Sequence, residues 1–349
     1  MSEPKAKLSF GIEIELYIKP NAETMKKLMS REKFTYPLTE PKQQGANRLA
    51  VFDFVEEQLK EWLSNCVTTR DGQPIKKFSE WSVDEDSSLE DEKEDVWGIE
   101  LVSRILSTRM DWESEVKTLF TRLQQHWEIQ EPQGCATHIH VSPFDSGFTL
   151  PQVKKIMKAT WLFNDAFTKT ATTRKKYDDW CMPNHQVYIP DELPPEDASD
   201  WNSFERIIQA YEEIENREGT SWEPIFKEID GTASKRAAYI RMGGERQVSM
   251  NFSHLFDKQD FGTIEFRRPP GITNSEDAIY YTLFALGFFA EALEVEERNF
   301  NNSYQKRSNF PSVKEFNQFV EDGLRRLDGR TRDTDRVYVL TRRPLKEHS

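Results

Sequence analysis

Between Phe10 and Leu16 the chain alternates apolar and acidic side chains, Phe10-Gly11-Ile12-Glu13-Ile14-Glu15-Leu16. Side chains of a strand point alternately to its two faces, so Ile12, Ile14 and Leu16 share one face and Glu13 and Glu15 the other. Comparable short strands are predicted at residues 81–83, 96–103, 137–141, 246–255 and 263–267. Elsewhere the apolar spacing becomes helical. Val51, Phe54, Val55, Leu59, Trp62 and Leu63 predict a helix over residues 50–65, and further helices are predicted over 111–127, 150–170, 204–216, 277–298 and 313–327. Residues 21–48 read as a polar helix or loop excursion broken by Pro37, Pro41 and Gly45, residues 84–95 as a solvated acidic turn, and Gly243-Gly244 as a hairpin turn, with a phosphate-contacting turn as the alternative. Residues 173–223, rich in Pro, Asp, Asn and Trp, read as an insertion over the site, residues 299–309 as a linker and residues 328–349 as a basic tail. The strands are short and amphipathic rather than continuously apolar. That favours an antiparallel sheet with one polar, site-bearing face and helices on the other, an α+β fold in a single catalytic domain over residues 1–327.

Composition narrows the classes of function. The 349 residues suffice for one large domain or two ordinary ones, and nine Trp and 23 Phe supply an aromatic core beneath a surface made polar by 31% charged residues. A net charge of −13 argues against sequence-independent binding to nucleic acid or anionic membrane, because either needs a basic face. The start MSEPKAKLSF has no apolar leader region and no stretch approaches the length of a membrane span, so a cytoplasmic protein is expected. Cys66, Cys135 and Cys181 are odd in number and far apart, which suits core thiols better than a disulfide framework.

Four strands carry the same device. Glu13 and Glu15 share a face, Glu100 lies between Ile99 and Leu101, His138 and His140 flank Ile139, and Glu265 and Arg267 flank Phe266. The first strand alone reads more simply as an amphipathic edge strand with a solvated acidic face. Several carboxylates and two imidazoles on one face, however, repel one another unless a divalent cation joins them. A metallohydrolase with Zn²⁺ on His138 and His140 is the rival enzyme reading, weakened because only His185, His254 and His348 follow. A non-catalytic interaction protein is the third. No G-x-x-x-x-G-K-[ST] pattern occurs, so any phosphate binding must rest on metals and cationic side chains. Lys235, Arg236, Arg241 and Arg246 are candidates for phosphate or carboxylate contact, with solvated surface charges as the alternative. His126 and His348 read as bystanders, His185 and His254 as structural.

Five segments in order carry a resemblance: Gly11-Ile12-Glu13-Ile14-Glu15, Trp81-Ser82-Val83 with Asp86-Ser87-Ser88-Leu89, Gly98-Ile99-Glu100-Leu101-Val102-Ser103, Thr137-His138-Ile139-His140-Val141 and Gly262-Thr263-Ile264-Glu265-Phe266-Arg267. Together they resemble the carboxylate-amine ligase superfamily of glutamine synthetase and glutamate-cysteine ligase, and most closely the amidoligase family of fungi and bacteria. The resemblance implies a curved, mainly antiparallel glutamine-synthetase-like sheet, ATP and Mg²⁺ or Mn²⁺ as cofactors, and amide formation through an acyl phosphate. It implies that Glu13, His138 and Glu265 hold the metal nearest the nucleotide phosphates and that Glu15 and Glu100 hold the metal nearest the acyl acceptor site. It places His140 by the nucleotide, Arg267 against the transferring phosphoryl group, and Asp86 at a substrate or metal contact. Asn251 matches the preceding family strand, in a binding or structural role. The implied partners are a small carboxylate and an amine, such as an amino acid, peptide or polyamine, and an oligomer is compatible.

Overall fold

The acidic strand extends farther than its alternation predicts. In the computed structural model, which describes residues 6–37, 43–63, 78–86, 88–89, 95–130, 134–144, 146–170, 181–190, 193–256 and 262–328, it is β1 (Leu8–Pro20). There follow α1 (Ala22–Met29), α2 (Gln43–Trp62), β2 (Ser82–Asp84), β3 (Trp97–Val102), β4 (Leu106–Ser107), α3 (Trp112–His126), β5 (Trp127–Ile129), β6 (Thr137–Pro143) and α4 (Leu150–Thr170). The chain continues through α5 (Ala198–Glu215), α6 (Glu223–Asp230), α7 (Lys235–Arg241), β7 (Met250–Asn251), a 3₁₀ turn (Ser253–Leu255), β8 (Ile264–Phe266), α8 (Ser275–Glu294), α9 (Glu297–Tyr304) and α10 (Val313–Arg326). Helices with antiparallel strand pairs make this an α+β fold, as predicted. Among the described residues no single helix is long and apolar enough to cross a membrane.

Chain contacts divide the protein into two compact units of interleaved segments, and β1, β6 and α8 each contribute residues to both. The first unit is Gly11–His138 with Pro269–Thr282. Its sheet runs β2-β3-β1, antiparallel, with β5 also paired to β1. The register sets Val83 opposite Leu101 and Leu101 opposite Ile14, an apolar row across three strands. Ile12, Ile14, Leu16, Ile99 and Leu101 are wholly buried, each removal from water stabilising by about 1.5–3 kcal/mol. The apolar side of α2, including Val51, Val55 and Leu59, packs with β2 and β3, while Trp127 Nε1 donates to Gln58 of the same helix at 2.8 Å.

The second unit comprises the described residues of Met1–Phe10, Ile139–Arg268 and Leu283–Ser349. Its strands run β6-β8-β7, again antiparallel. Phe266 of β8 meets Phe167 of α4 at 5.4 Å and Phe284 of α8 at 5.7 Å. These rings belong to an aromatic core shared by α4, α8 and α10, with Phe163 against Phe319 at 4.8 Å and Phe167 against Phe316 at 4.6 Å. The amine of Lys158, buried on α4, is neutralised by Asp230 at 2.7 Å and Glu297 at 2.8 Å, tying α4 to α6 and α9.

Several expectations need correction. The predicted strand over 246–255 is only the two-residue β7, because the Asn251 side chain accepts from Ser253 N at 2.8 Å and turns the chain into the 3₁₀ turn. Gly243 and Gly244 form no hairpin: with φ of +114° and +65° they end α7, their amides returning to Ile240 O and Tyr239 O. The predicted linker contains α9, whose polar surface run hides the i,i+4 pair Phe300–Tyr304, with Phe300 buried against Phe226. The predicted helix over 277–298 breaks after Glu294, where α8 and α9 bend by 102°. Neither α6 nor α7 was expected; α7 is started by Ser234, whose side chain accepts from Ala237 N. Cys66, His348, residues 173–180 of the expected insertion, most of the acidic turn and residues 329–349 of the tail lie outside the described residues.

Candidate metal-binding site

In the first unit the sheet register lines up three acids. Asp84 of β2 is opposite Glu100 of β3, and Glu100 is opposite Glu15 of β1. Directly paired residues of antiparallel strands project from the same face, and like charges in that position repel. Glu13 lies two residues along β1 and therefore on the same face. His138 stands between the two glutamates of β1, with Nδ1 3.3 Å from Glu13 Oε2 and Nε2 3.7 Å from Glu15 Oε1. Glu15 is only 4% exposed, and its Oε2 accepts from Ala136 N at 2.5 Å.

Donor atoms of Glu13, Glu100 and His138 all lie within 4.8 Å of one another, and the same holds for Glu15, Asp86 and Glu100. Glu100 belongs to both groups. Asp86 is delivered by a turn in which its Oδ1 accepts from Ser88 N at 2.6 Å and its carbonyl from Leu89 N at 3.2 Å. Leu89 anchors that turn in a buried cluster with Tyr17, Val96 and Cys135. Gly98 makes the anchoring feasible, since a Cβ there would come within 2.6 Å of Leu89 Cβ. Burial, followed by the charges of Glu13, Asp86, Glu15 and Asp84, pushes the Glu100 carboxyl up to about 9. At neutral pH the protein alone therefore holds Glu100 protonated. A divalent cation reverses the preference, and a set of four carboxylates with one imidazole suits a hard, oxygen-seeking ion.

The second unit repeats the pattern with different chemistry. His140 of β6, Glu265 of β8 and Asn251 of β7 form one row across the register. Glu265 is 2% exposed; its Oε2 accepts from Asn251 Nδ2 at 2.7 Å and its Oε1 from Arg267 Nη1 at 2.5 Å. His140 Nε2 is 3.7 Å from Glu265 Oε1 and His254 Nε2 is 3.4 Å from Glu265 Oε2. His140 Nδ1 lies 3.3 Å from Thr263 Oγ1.

The sequence-predicted residues thus fall into two groups: Glu13, Glu15, Asp86, Glu100 and His138 in the first unit, and His140, Asn251, Glu265 and Arg267 in the second. Arg246 is exposed in the loop before β7. Two other members of the basic cluster are engaged elsewhere, Arg236 with Asp197 and Arg241 with Asp200. Sequence reasoning missed Asp84 and His254. Asp84 ends β2, one residue past the strand predicted over 81–83, and so falls at the start of the predicted acidic turn. His254 arrives through the 3₁₀ turn, which strand alternation does not reveal. His185 is structural as expected: it bonds to Asn164 at 2.6 Å, stacks on Tyr211, and is lowered to about 4 by burial and then by Arg268, so it stays neutral. His126 stacks on Trp62.

Both donor groups fall within the sequence range matched by a known family. A family model described as "Putative amidoligase enzyme" matches residues 6–289. No curated protein matches the chain.

Proposed function

Because the chain belongs to the amidoligase family, a family of amide-bond ligases, we propose that it is a cytoplasmic ATP-dependent carboxylate-amine ligase on a glutamine-synthetase-like sheet. The observation that carries this reading is Glu100, a carboxyl set in register between Asp84 and Glu15 and shared by both groups of donor atoms. Glu13, Glu100 and His138 would hold one ion, and Glu15, Asp86 and Glu100 another, in keeping with the donor groupings. Such ions, Mg²⁺ or Mn²⁺, supply charge neutralisation where ATP phosphates and an incoming carboxylate would otherwise repel.

The remaining residues bind and orient. Asn251 and Arg267 fix the Glu265 carboxylate from its two oxygens, and the family resemblance sets the Arg267 guanidinium against the transferring phosphoryl group. His140 lies by the nucleotide, and Arg246 offers a cation to a phosphate or carboxylate. The substrate carboxylate oxygen attacks the γ-phosphorus and ADP leaves with the electron pair. The amine nitrogen then attacks the acyl carbon, expelling phosphate and losing a proton to form the amide.

The test is a screen for ADP release over pairs of acids and amines, the amines drawn from amino acids, peptides and polyamines. ADP and phosphate are expected in equal amounts and only when both partners are present. Arg267→Ala is expected to lower kcat by about two orders of magnitude, the usual loss of a preorganised charge-stabilising donor. Amide cleavage without ATP, in protein carrying stoichiometric Zn²⁺, would establish the hydrolase alternative instead.

A further inference from the structure

We propose that His140, His254 and Glu265 form a transition-metal site that takes a borderline ion such as Zn²⁺ or Co²⁺ in preference to Mg²⁺. This gives Glu265 a different ion and different co-ligands from those the family resemblance implies. It stands whether or not ATP is a substrate.

The donor set carries the inference. Two imidazoles with one carboxylate suit Zn²⁺ and its neighbours, whereas Mg²⁺ prefers oxygen. Metal bonds of about 2.0–2.1 Å in a tetrahedron put neighbouring donors about 3.3–3.4 Å apart. His254 Nε2 meets that distance at 3.4 Å from Glu265 Oε2, while His140 Nε2 lies 3.7 Å from the other oxygen, Oε1, so the carboxylate turns one oxygen to each imidazole. One donor atom of each residue lies within 4.8 Å of the others.

The outer contacts also match those of a metal site. His140 Nδ1 faces the Thr263 hydroxyl at 3.3 Å and Nε2 faces Glu265, the arrangement in which a ligating imidazole is oriented through its other nitrogen. The carboxylate is held from both oxygens, by Arg267 and Asn251, and ligating carboxylates are commonly fixed in this way. The Arg267 charge weakens the pull of Glu265 on any cation, so the neutral nitrogen donors must supply much of the affinity. The His254 side chain is partly exposed, whereas His140 Nε2 is itself buried.

The experiment is a Co²⁺ titration of the metal-stripped full chain without nucleotide. Intense visible bands of a four- or five-coordinate ion with nitrogen ligands are expected, since six-coordinate Co²⁺ on carboxylates absorbs weakly. Zn²⁺ should abolish the bands, and millimolar Mg²⁺ should not. His254→Ala and His254→Gln, checked for folding by circular dichroism, should weaken this binding by more than the roughly 10- to 100-fold expected for Thr263→Val. Absence of the bands, their displacement by Mg²⁺, or full Co²⁺ affinity in both folded His254 variants would overturn the proposal. None of these readouts depends on ADP release, so the ligase reading stands or falls separately.

Discussion

Glu100→Gln is expected to stabilise the metal-free protein above neutral pH while removing its response to Mg²⁺. In the wild-type chain the Glu100 carboxyl is pushed up to about 9, against about 4.3 in an unfolded chain. The folded state therefore keeps a proton that the unfolded state has released. That contribution to stability is complete below about pH 4 and is lost progressively as pH rises toward 9. The loss is steepest at about 1.4 kcal/mol per pH unit, the limit for one proton. Glutamine copies the neutral acid and cannot lose a proton, so the variant should lack this part of the decline. Urea unfolding in EDTA from pH 5 to 9 measures the difference. Two curves of equal slope would show that Glu100 is not held protonated. Mg²⁺ acts in the opposite direction, because it must displace the Glu100 proton to bind. It should raise wild-type stability most at high pH and leave the variant unmoved.

Gly323→Ala is expected to lower stability by about 3 kcal/mol, at the upper end for an overpacked site. Gly323 of α10 crosses Gly287 of α8 so closely that a Cβ would stand 1.8 Å from Gly287 O and 2.8 Å from Glu291 N. Those neighbours are backbone, so the clash cannot be relieved by a rotamer change. Separating the helices would also loosen Phe163, Phe284, Phe316 and Phe319, which fill the core beside the crossing. The gain of about 1 kcal/mol from alanine's helix propensity works against this loss and does not cancel it. A urea midpoint equal to or above the wild type would show that the helices adjust freely.

Most elements of the fold were legible where one physical signal dominated. Residues 150–170 were predicted as a helix and α4 spans Leu150–Thr170, because its apolar positions repeat over five turns and Pro151 marks its start. The acidic alternation of β1 likewise gave the faces of Glu13 and Glu15. What sequence could not show was lateral register. Asp84, Glu100 and Glu15 become one row only through pairing between strands distant in the chain, and the same is true of His140, Glu265 and Asn251. The helices α7 and α9 were hidden because both are short, seven and eight residues, and α9 carries only Phe300 and Tyr304 as large apolar positions. Gly98, an ordinary strand glycine in sequence, has its meaning only once Leu89 is seated against it.

The central claim is that the β1–β3 carboxylates hold the ions that accompany a nucleotide. Its most direct test is the melting temperature of the full chain with and without Mg²⁺ and ATP, in the wild type and in Glu13→Gln. At ligand concentrations about a hundredfold above Kd, binding stabilises by about 2.7 kcal/mol. The account predicts a clear upward shift in the wild type and none in the variant; an equal shift in both would contradict it.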